Sequence, residues 1–205
     1  YYLNREQYGD RPLFYGAVYS APEKLKIVGN NCIPIEKEGS PVWIRKEKTD
    51  EGEKDSYTIS GYKHRGYEMD DRFMMLFPRM YSTNSDHINA YKSWANVKGN
   101  RIKVDRCGTI EPITCPTFGE NLTFFFKYQL NFMYWRYFMW NFSGRQNDIQ
   151  SHGEIDHGNW ITGFSFIDKA MLGDQTTAPD SMKQNKANNR YFLLPFLLGI
   201  LGIMW

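Results

Sequence analysis

The sequence has few of the residues that mark a metal-stabilised or disulfide-rich scaffold. Its 205 residues include three cysteines, Cys32, Cys107 and Cys115, with no CxxC pair and no zinc-finger spacing. A bridge between Cys107 and Cys115 is one interpretation, provided that the loop between them is compact. Free, buried thiols are the other interpretation, and the sequence leaves both open.

Signatures of nucleotide binding and of soluble hydrolases are also missing. The sequence has no P-loop, no GxGxxG, no nucleophile elbow and no Ser-His-Asp order. The net charge is only +2 and no basic run occurs, which argues against a nucleic-acid-binding protein. These absences leave a soluble hydrolase, a nucleotide-binding enzyme and a nucleic-acid-binding protein without support.

Aromatic residues are plentiful, at 17% of the chain, and they are concentrated in residues 117–154. Residues 121–142 are long enough for about six helical turns and are apolar on nearly every side. An all-round apolar helix lies either inside a large protein or in a membrane. Lys127 and Arg136 are nine residues apart, about 180° around a helix, so they cannot share one solvated face. The stretch predicts a helix among other helices at a membrane boundary, with Arg136 held by a partner or pointing into a cavity.

The last fifteen residues, YFLLPFLLGILGIMW, are apolar throughout. About 20 such residues span a bilayer, so this segment is interpreted as part of a transmembrane helix. The polar, basic residues KQNKANNR before it suit a membrane interface. The alternative is a buried C-terminal helix or strand. Because both ends look cut, we expect the chain to be a piece of a larger integral membrane protein.

The remaining patterns predict an α+β fold. Two β-rich runs, VWIRKEK at 42–48 and SYTISGYKH at 56–64, flank a charged turn and predict a hairpin. A group of N-cap residues precedes a helix within 81–98 that ends at Gly99-Asn100. Residues 103–115 predict a strand and loop, and 164–172 a short helix. We expect a polar loop domain with the hairpin at 1–116, a membrane-apposed aromatic helix and polar loop at 117–190, and a partial transmembrane helix at 191–205.

The loop from Gly144 to Gly158 concentrates charged side chains and imidazoles. They are Arg145, Asp148, His152, Glu154, Asp156 and His157. Imidazoles and carboxylates are ligands of divalent metals, so a metal site is one interpretation, although the spacing fits no standard motif. The other interpretation is a polar loop whose side chains satisfy one another and the nearby backbone.

Anion recognition is a further hypothesis for the same region. Arg136 and Arg145 lie on either side of the predicted helix end, and guanidinium groups bind phosphate bidentately. Beside a membrane, the natural anion is a lipid phosphate. Four aromatic residues could stack on sugar rings or lie among lipid headgroups: Trp135, Tyr137, Trp140 and Trp160. The alternative is a set of aromatic membrane anchors with a paired arginine.

Four motifs carry a resemblance to a known family. They are NREQYGDRPL (4–13), FPRMYS (77–82), PTFGENLTFFFKYQLNFMYWRYFMWNFSGRQNDIQ (116–150) and GNWITGFSFID (158–168). With them the chain resembles the bacterial multi-spanning membrane proteins of the protein O-mannosyltransferase family, in the class C glycosyltransferase superfamily. The resemblance implies an inner-membrane enzyme that transfers a sugar from a polyprenyl-phosphate donor to Ser or Thr of exported proteins. This chain would be a segment that faces the periplasm.

The family's catalytic carboxylate is expected in the first extracytoplasmic loop, which has no counterpart in these residues. No catalytic residue is therefore assigned. Our hypothesis, from side-chain chemistry, is that the following residues bind the donor or the acceptor: Arg136, Arg145, Asp148, His152, Glu154 and Trp160. No cofactor is assigned beyond the possible divalent metal. The rival hypotheses are a non-catalytic scaffold or accessory domain that docks a partner enzyme, and a secreted globular domain whose last helix is buried.

Overall fold

The computed structural model describes residues 14–47, 52 and 56–205, which form a mixed α+β arrangement of small antiparallel hairpins and helices. The chain divides into two units, residues 1–122 and residues 123–205. Two predicted features lie outside the described residues. One is the motif at 4–13, and the other is the turn at 49–55 except for Gly52.

Paired strands are the main regular elements of the first unit. They are β1 (Tyr15–Ala17), β2 (Leu25–Val28), β3 (Asn31–Pro34), β4 (Glu36–Arg45), β5 (Tyr57–Tyr67), β6 (Met74–Leu76), β7 (Asn100–Arg106) and β8 (Thr109–Cys115). The pairs are β1 with β6, β2 with β3, β4 with β5 and β7 with β8, and all are antiparallel. The predicted hairpin is confirmed as β4 and β5, which extend beyond the predicted runs at one end.

A small core lies between the β1–β6 pair and the β7–β8 pair. Val18, Phe73, Val104 and Cys115 are buried against one another. The predicted strand and loop at 103–115 is a complete hairpin, β7 and β8, which turns at Cys107 and Gly108. Both turn residues have positive φ, 56° and 96°, as a tight two-residue hairpin turn requires.

The cysteine pairing differs from the Cys107–Cys115 bridge that was one of the two interpretations of the sequence. Cys32 forms a disulfide with Cys107, 75 residues away, and Cys115 is free and buried in the core. The interpretation with a bridge between Cys107 and Cys115 is wrong because strand β8 extends between them. At about 3.4 Å per residue, that strand separates the two cysteines by roughly 20 Å. The alternative of free thiols is correct for Cys115 alone.

The predicted helix within 81–98 is confirmed as α1 (Ser85–Ala95). Asn84 is its N-cap, and its side chain accepts a hydrogen bond from the Asp86 amide at 2.8 Å. The helix ends earlier than predicted because Asn96 adopts the left-handed conformation, with φ of 50°.

The predicted aromatic helix is confirmed as a continuous helical run at 118–142. It consists of α2 (Phe118–Phe124), a π-helix (Phe125–Trp135) and α3 (Arg136–Phe142). A capping box starts it. The Glu120 amide donates to the Thr117 hydroxyl at 3.3 Å, and the Thr117 amide donates to the Glu120 carboxylate at 2.7 Å. The π-helix was not predicted, and π-helical turns are frequent at functional sites.

The rest of the second unit is formed by short elements. They are β9 (Gly144–Arg145), α4 (Ser165–Leu172), α5 (Asp180–Lys183), β10 (Asn189–Arg190) and α6 (Leu194–Met204), with β9 antiparallel to β10. The predicted short helix is confirmed as α4. The Phe196 ring of α6 contacts the rings of Trp135 and Phe138 edge-on, at 6.4 and 6.1 Å between centroids.

No residue of α6 is buried, so the alternative of a buried C-terminal helix or strand is wrong for this segment of the chain. Its side chains are exposed on several sides, and Ile203 is 87% exposed. Within residues 14–47, 52 and 56–205, no helix has both the length and the apolar character needed to cross a membrane.

Candidate functional site

Arg136 is the first residue of α3 and lies half-buried. Its Nε donates a hydrogen bond to the Phe132 carbonyl oxygen at 3.1 Å, and an Nη donates to the Gly158 carbonyl oxygen. The guanidinium lies 4.4 Å from the centroid of the Phe132 ring. Burial lowers the pKa of Arg136. Arginine nevertheless keeps its proton in proteins, so the group remains a cation.

A cavity of about 350 Å³ opens beside this guanidinium. Trp135 and Trp160 provide aromatic walls, and Asn131 and Asn159 provide amide groups. Met171 and Leu172, at the end of α4, close the apolar side. In the described part of the chain, Arg136 has no carboxylate partner within ion-pair distance. Among the described residues, its charge is stabilised by two carbonyl dipoles and the face of the Phe132 ring, and an anion that enters the cavity would supply a counter-charge.

Two buried amide side chains fix the loop that forms one wall. Gln146 donates to the Ile155 carbonyl at 2.9 Å, and its own oxygen accepts from the Asn159 side chain at 3.1 Å. Asn147 donates to the Asp156 carbonyl at 2.8 Å. The Trp140 indole N–H donates to the Asn147 carbonyl at 3.1 Å and ties this loop to α3.

Gly158 connects this loop to the arginine. Its N–H donates to the Asn147 side-chain oxygen at 2.7 Å, and its carbonyl accepts from Arg136. Its φ is +54°, and a Cβ added there would overlap the Ile149 carbonyl oxygen. Glycine is therefore required at this position. Asn147 fixes Gly158, and the Gly158 carbonyl in turn positions the Arg136 guanidinium.

Arg145 lies elsewhere. Its backbone pairs with Trp160 and with Asn189. Its guanidinium lies 3.9 Å from the centroid of the Trp140 ring. Its Nε is buried, without a hydrogen-bond partner among the residues that the structure describes. The structure thus joins Arg145 to Trp160 through the main chain, but the Arg145 side chain does not line the Arg136 cavity.

The acidic and imidazole part of the loop is exposed. The Glu154 carboxylate accepts a hydrogen bond from the His152 amide at 2.7 Å, and this bond lowers the pKa of Glu154. His157 Nδ1 lies 3.9 Å from Glu154 and 3.5 Å from Asp156. Asp148 is exposed as well.

The metal-site interpretation receives no support from this arrangement. Throughout the described residues, no group of three or more His, Cys, Asp or Glu side chains could hold a metal ion. The arrangement instead agrees with the alternative interpretation, in which the polar groups of the loop bond to one another and to the backbone.

Of the six residues assigned to substrate binding, the structure brings Arg136 and Trp160 into one cavity, and Arg145 pairs with Trp160 through the main chain without lining that cavity. The structure leaves Asp148, His152 and Glu154 on the exposed loop. Sequence reasoning missed Gln146, Asn147 and Gly158. The signal in the sequence was a pair of neighbouring amide residues inside a glycine-rich loop. The backbone groups of a tight loop need hydrogen-bond partners, and amide side chains can supply them.

Comparisons with known proteins add one result. No curated protein and no solved structure matches the chain significantly. A model described as a family of unknown function (DUF8416) matches residues 9–126, which is more than half of the 205 residues. The chain therefore belongs to the DUF8416 family.

Proposed function

We propose that this chain is a segment of an integral membrane glycosyltransferase that transfers a sugar from a polyprenyl-phosphate donor to Ser or Thr of exported proteins. In this proposal the Arg136 cavity binds the donor phosphate. The observation that carries the proposal is a half-buried guanidinium that faces a cavity with two tryptophan walls and has no carboxylate partner among the described residues. The catalytic base lies outside this segment, as the family resemblance implies.

The chemistry of the cavity suits a lipid-linked sugar phosphate. An arginine binds phosphate oxygens through parallel N–H donors, and it stabilises the negative charge that develops on a departing phosphate. Indole faces such as those of Trp135 and Trp160 stack on sugar rings or on an isoprenoid chain. Asn131 and Asn159 provide amide groups that can bind sugar hydroxyls.

The surface of the second unit supports a position against lipid. Large apolar side chains of the helical run and of α6 are exposed, including Phe126, Met133, Tyr134, Leu198 and Ile203 at 53% to 87%. Where exposed apolar side chains form a patch on a protein surface, membrane or protein contact is the usual explanation. In our proposal, this surface lies in the periplasmic face of the bacterial inner membrane.

The disulfide supports a periplasmic location for the first unit. Cys32 and Cys107 are bonded, and stable disulfides form in oxidising compartments such as the bacterial periplasm rather than in the cytosol. The first unit would therefore face the periplasm, where exported acceptor proteins fold.

The proposal is tested by sugar transfer in membranes that contain the full-length protein. We expect Arg136→Ala to lower the transfer of labelled sugar from a polyprenyl-phosphate donor to a Ser/Thr peptide by about 100-fold, the typical cost of losing one transition-state donor. Arg136→Lys should recover part of this loss because it keeps the charge but not the planar pair of donors.

Lys127→Ala is the matched control because it removes an exposed cation from the same helical run, outside the cavity. We expect it to retain normal transfer. Trp160→Leu keeps the arginine and removes one aromatic wall, so it should weaken donor binding while the protein accumulates normally. Normal transfer by Arg136→Ala at normal protein abundance would contradict the proposal.

The exposed aromatic surface also favours a second candidate, a non-catalytic scaffold or accessory domain that docks a partner enzyme. Under that hypothesis Arg136→Ala leaves transfer unchanged. A charged substitution on the exposed surface, Met133→Glu, instead releases the partner, as measured by co-purification from detergent-solubilised membranes.

A further inference from the structure

A second cavity lies in the first unit, and its volume is about 470 Å³. Three chain segments meet beneath it through main-chain hydrogen bonds. The Lys24 amide donates to the Glu68 carbonyl at 2.7 Å, the Ile35 amide to the Lys24 carbonyl at 2.9 Å, and the Glu68 amide to the Ile35 carbonyl at 2.9 Å. These bonds fix the backbone positions of the side chains around the cavity.

The lining is rich in charge. It includes three cations, Lys24, Lys37 and Arg65, and two carboxylates, Glu68 and Asp71, so its formal charge is three minus two, or +1. Lys24 and Asp71 form an ion pair at 2.8 Å, which holds one wall. Lys37 lies on β4 and Arg65 on β5, the two paired strands at the edge of the cavity.

Tyrosine rings supply the other main component of the wall. Tyr15, Tyr67 and Tyr81 line the cavity, and Tyr15 and Tyr67 are 62% and 37% exposed. A tyrosine offers a flat apolar face and a hydroxyl group. The apolar face stacks on the C–H face of a sugar ring, and the hydroxyl can bond to the ring's substituents.

We propose that this cavity binds an anionic carbohydrate, a sugar ring that carries a carboxylate or a phosphate. Lys37 and Arg65 bind the anionic group, and the tyrosines stack on the ring. The volume falls within the range of about 300–1,000 Å³ typical of small-molecule sites. Every residue of the lining lies within residues 9–126, so the site belongs to the DUF8416 part of the chain, whereas the Arg136 cavity lies outside it.

Calorimetric titration of the 205-residue chain tests the proposal with four probes: glucuronate, mannose 6-phosphate, glucose and inorganic phosphate. We expect at least one of the two anionic sugars to bind, and whichever binds identifies a carboxylate or a phosphate as the preferred anion. Glucose and inorganic phosphate should each bind at least about tenfold more weakly, because each lacks one of the two recognised features.

Matched variants locate the binding. The double variant Lys37→Ala/Arg65→Ala should weaken binding of the anionic sugar by at least about tenfold, the effect of losing charge-assisted hydrogen bonds. Lys26→Ala removes an exposed lysine of neighbouring β2 outside the cavity and should have no effect. Tyr67→Leu should weaken binding, and Tyr57→Leu, at the far end of the same strand, should not.

Several results would overturn the proposal. One is the absence of binding by both anionic sugars to a chain whose circular dichroism and disulfide are normal. Another is equal binding of glucose, or of inorganic phosphate, because the anion and the ring would then not both be needed. A third is an aspartate-rich peptide that binds more tightly than either sugar and loses its affinity in the Lys37→Ala/Arg65→Ala variant, which would assign the cavity to a polypeptide.

Discussion

Asn147→Ala is the substitution that most severely tests how the loop supports Arg136. The Asn147 side chain is buried and makes three hydrogen bonds: it donates to the Asp156 carbonyl and accepts from the Ile149 and Gly158 amides. Each such bond contributes about 1 kcal/mol net, so their loss should lower the free energy of unfolding by about 3 kcal/mol. The Gly158 amide would also be left buried without its partner.

The measurement is denaturant unfolding of the chain, followed by tryptophan fluorescence, in a detergent that keeps it dispersed. Asn141→Ala is the control. The Asn141 side chain makes one bond, to the Tyr137 carbonyl one turn earlier on α3, and its loss should cost about 0.5 kcal/mol or less. If the two variants unfold at the same denaturant concentration, the buried Asn147 amide does not hold the loop and does not position Arg136.

Three further predictions concern the backbone, the disulfide and pH. Gly158→Ala should destabilise the second unit by about 2 kcal/mol or more, because Gly158 has a positive φ and an added Cβ would overlap the Ile149 carbonyl oxygen. The control is Gly119→Ala in helix α2, which should be neutral or stabilising. The midpoints of thermal unfolding of the two variants measure the difference. Cys32→Ser should lower the free energy of unfolding by about 4.5 kcal/mol, the chain-entropy value for a 75-residue separation, as measured by denaturant unfolding. An added reductant should have the same effect on the wild type and none on the variant.

The third of these concerns Glu120. Burial raises its pKa, but hydrogen bonds from the Gly99, Thr117 and Lys98 amides lower it more, so the folded-state pKa lies below the ordinary value of 4.5. A lowered folded-state pKa gives stability that is present above 4.5 and is lost as pH falls through the folded value. Glu120→Gln should therefore remove part of the acid sensitivity below pH 4.5, as measured by unfolding at a series of pH values. An unchanged acid profile in Glu120→Gln would exclude this role.

Local patterns were sufficient for the elements whose determinants lie close together in sequence. The β4–β5 hairpin follows from alternating β-rich runs, helix α1 from its N-cap residues, and the helical run at 118–142 from its length and composition. The end of α1 was misplaced because a single left-handed asparagine, not a glycine, stops it.

Features that depend on contacts between residues far apart in sequence could not be predicted from local patterns. Nothing local pairs Cys32 with Cys107, because the partners are brought together by the packing of two separate hairpins. The π-helix leaves no signature in the apolar pattern, since residues on all sides are apolar. For the site, the sequence predicted that Arg136 is either held by a partner or points into a cavity, and the structure places it beside a cavity. The roles of Gln146, Asn147 and Gly158 depend instead on a loop conformation that only the assembled structure displays.

The most direct test of the central claim is the binding of undecaprenyl phosphate to the chain in detergent micelles, followed by quenching of tryptophan fluorescence. The account predicts saturable binding that weakens by at least about tenfold in Arg136→Ala, stays unchanged in Lys127→Ala, and is far weaker for undecaprenol, which lacks the phosphate. Equal binding of undecaprenol and undecaprenyl phosphate, or an unchanged affinity in Arg136→Ala, would contradict it.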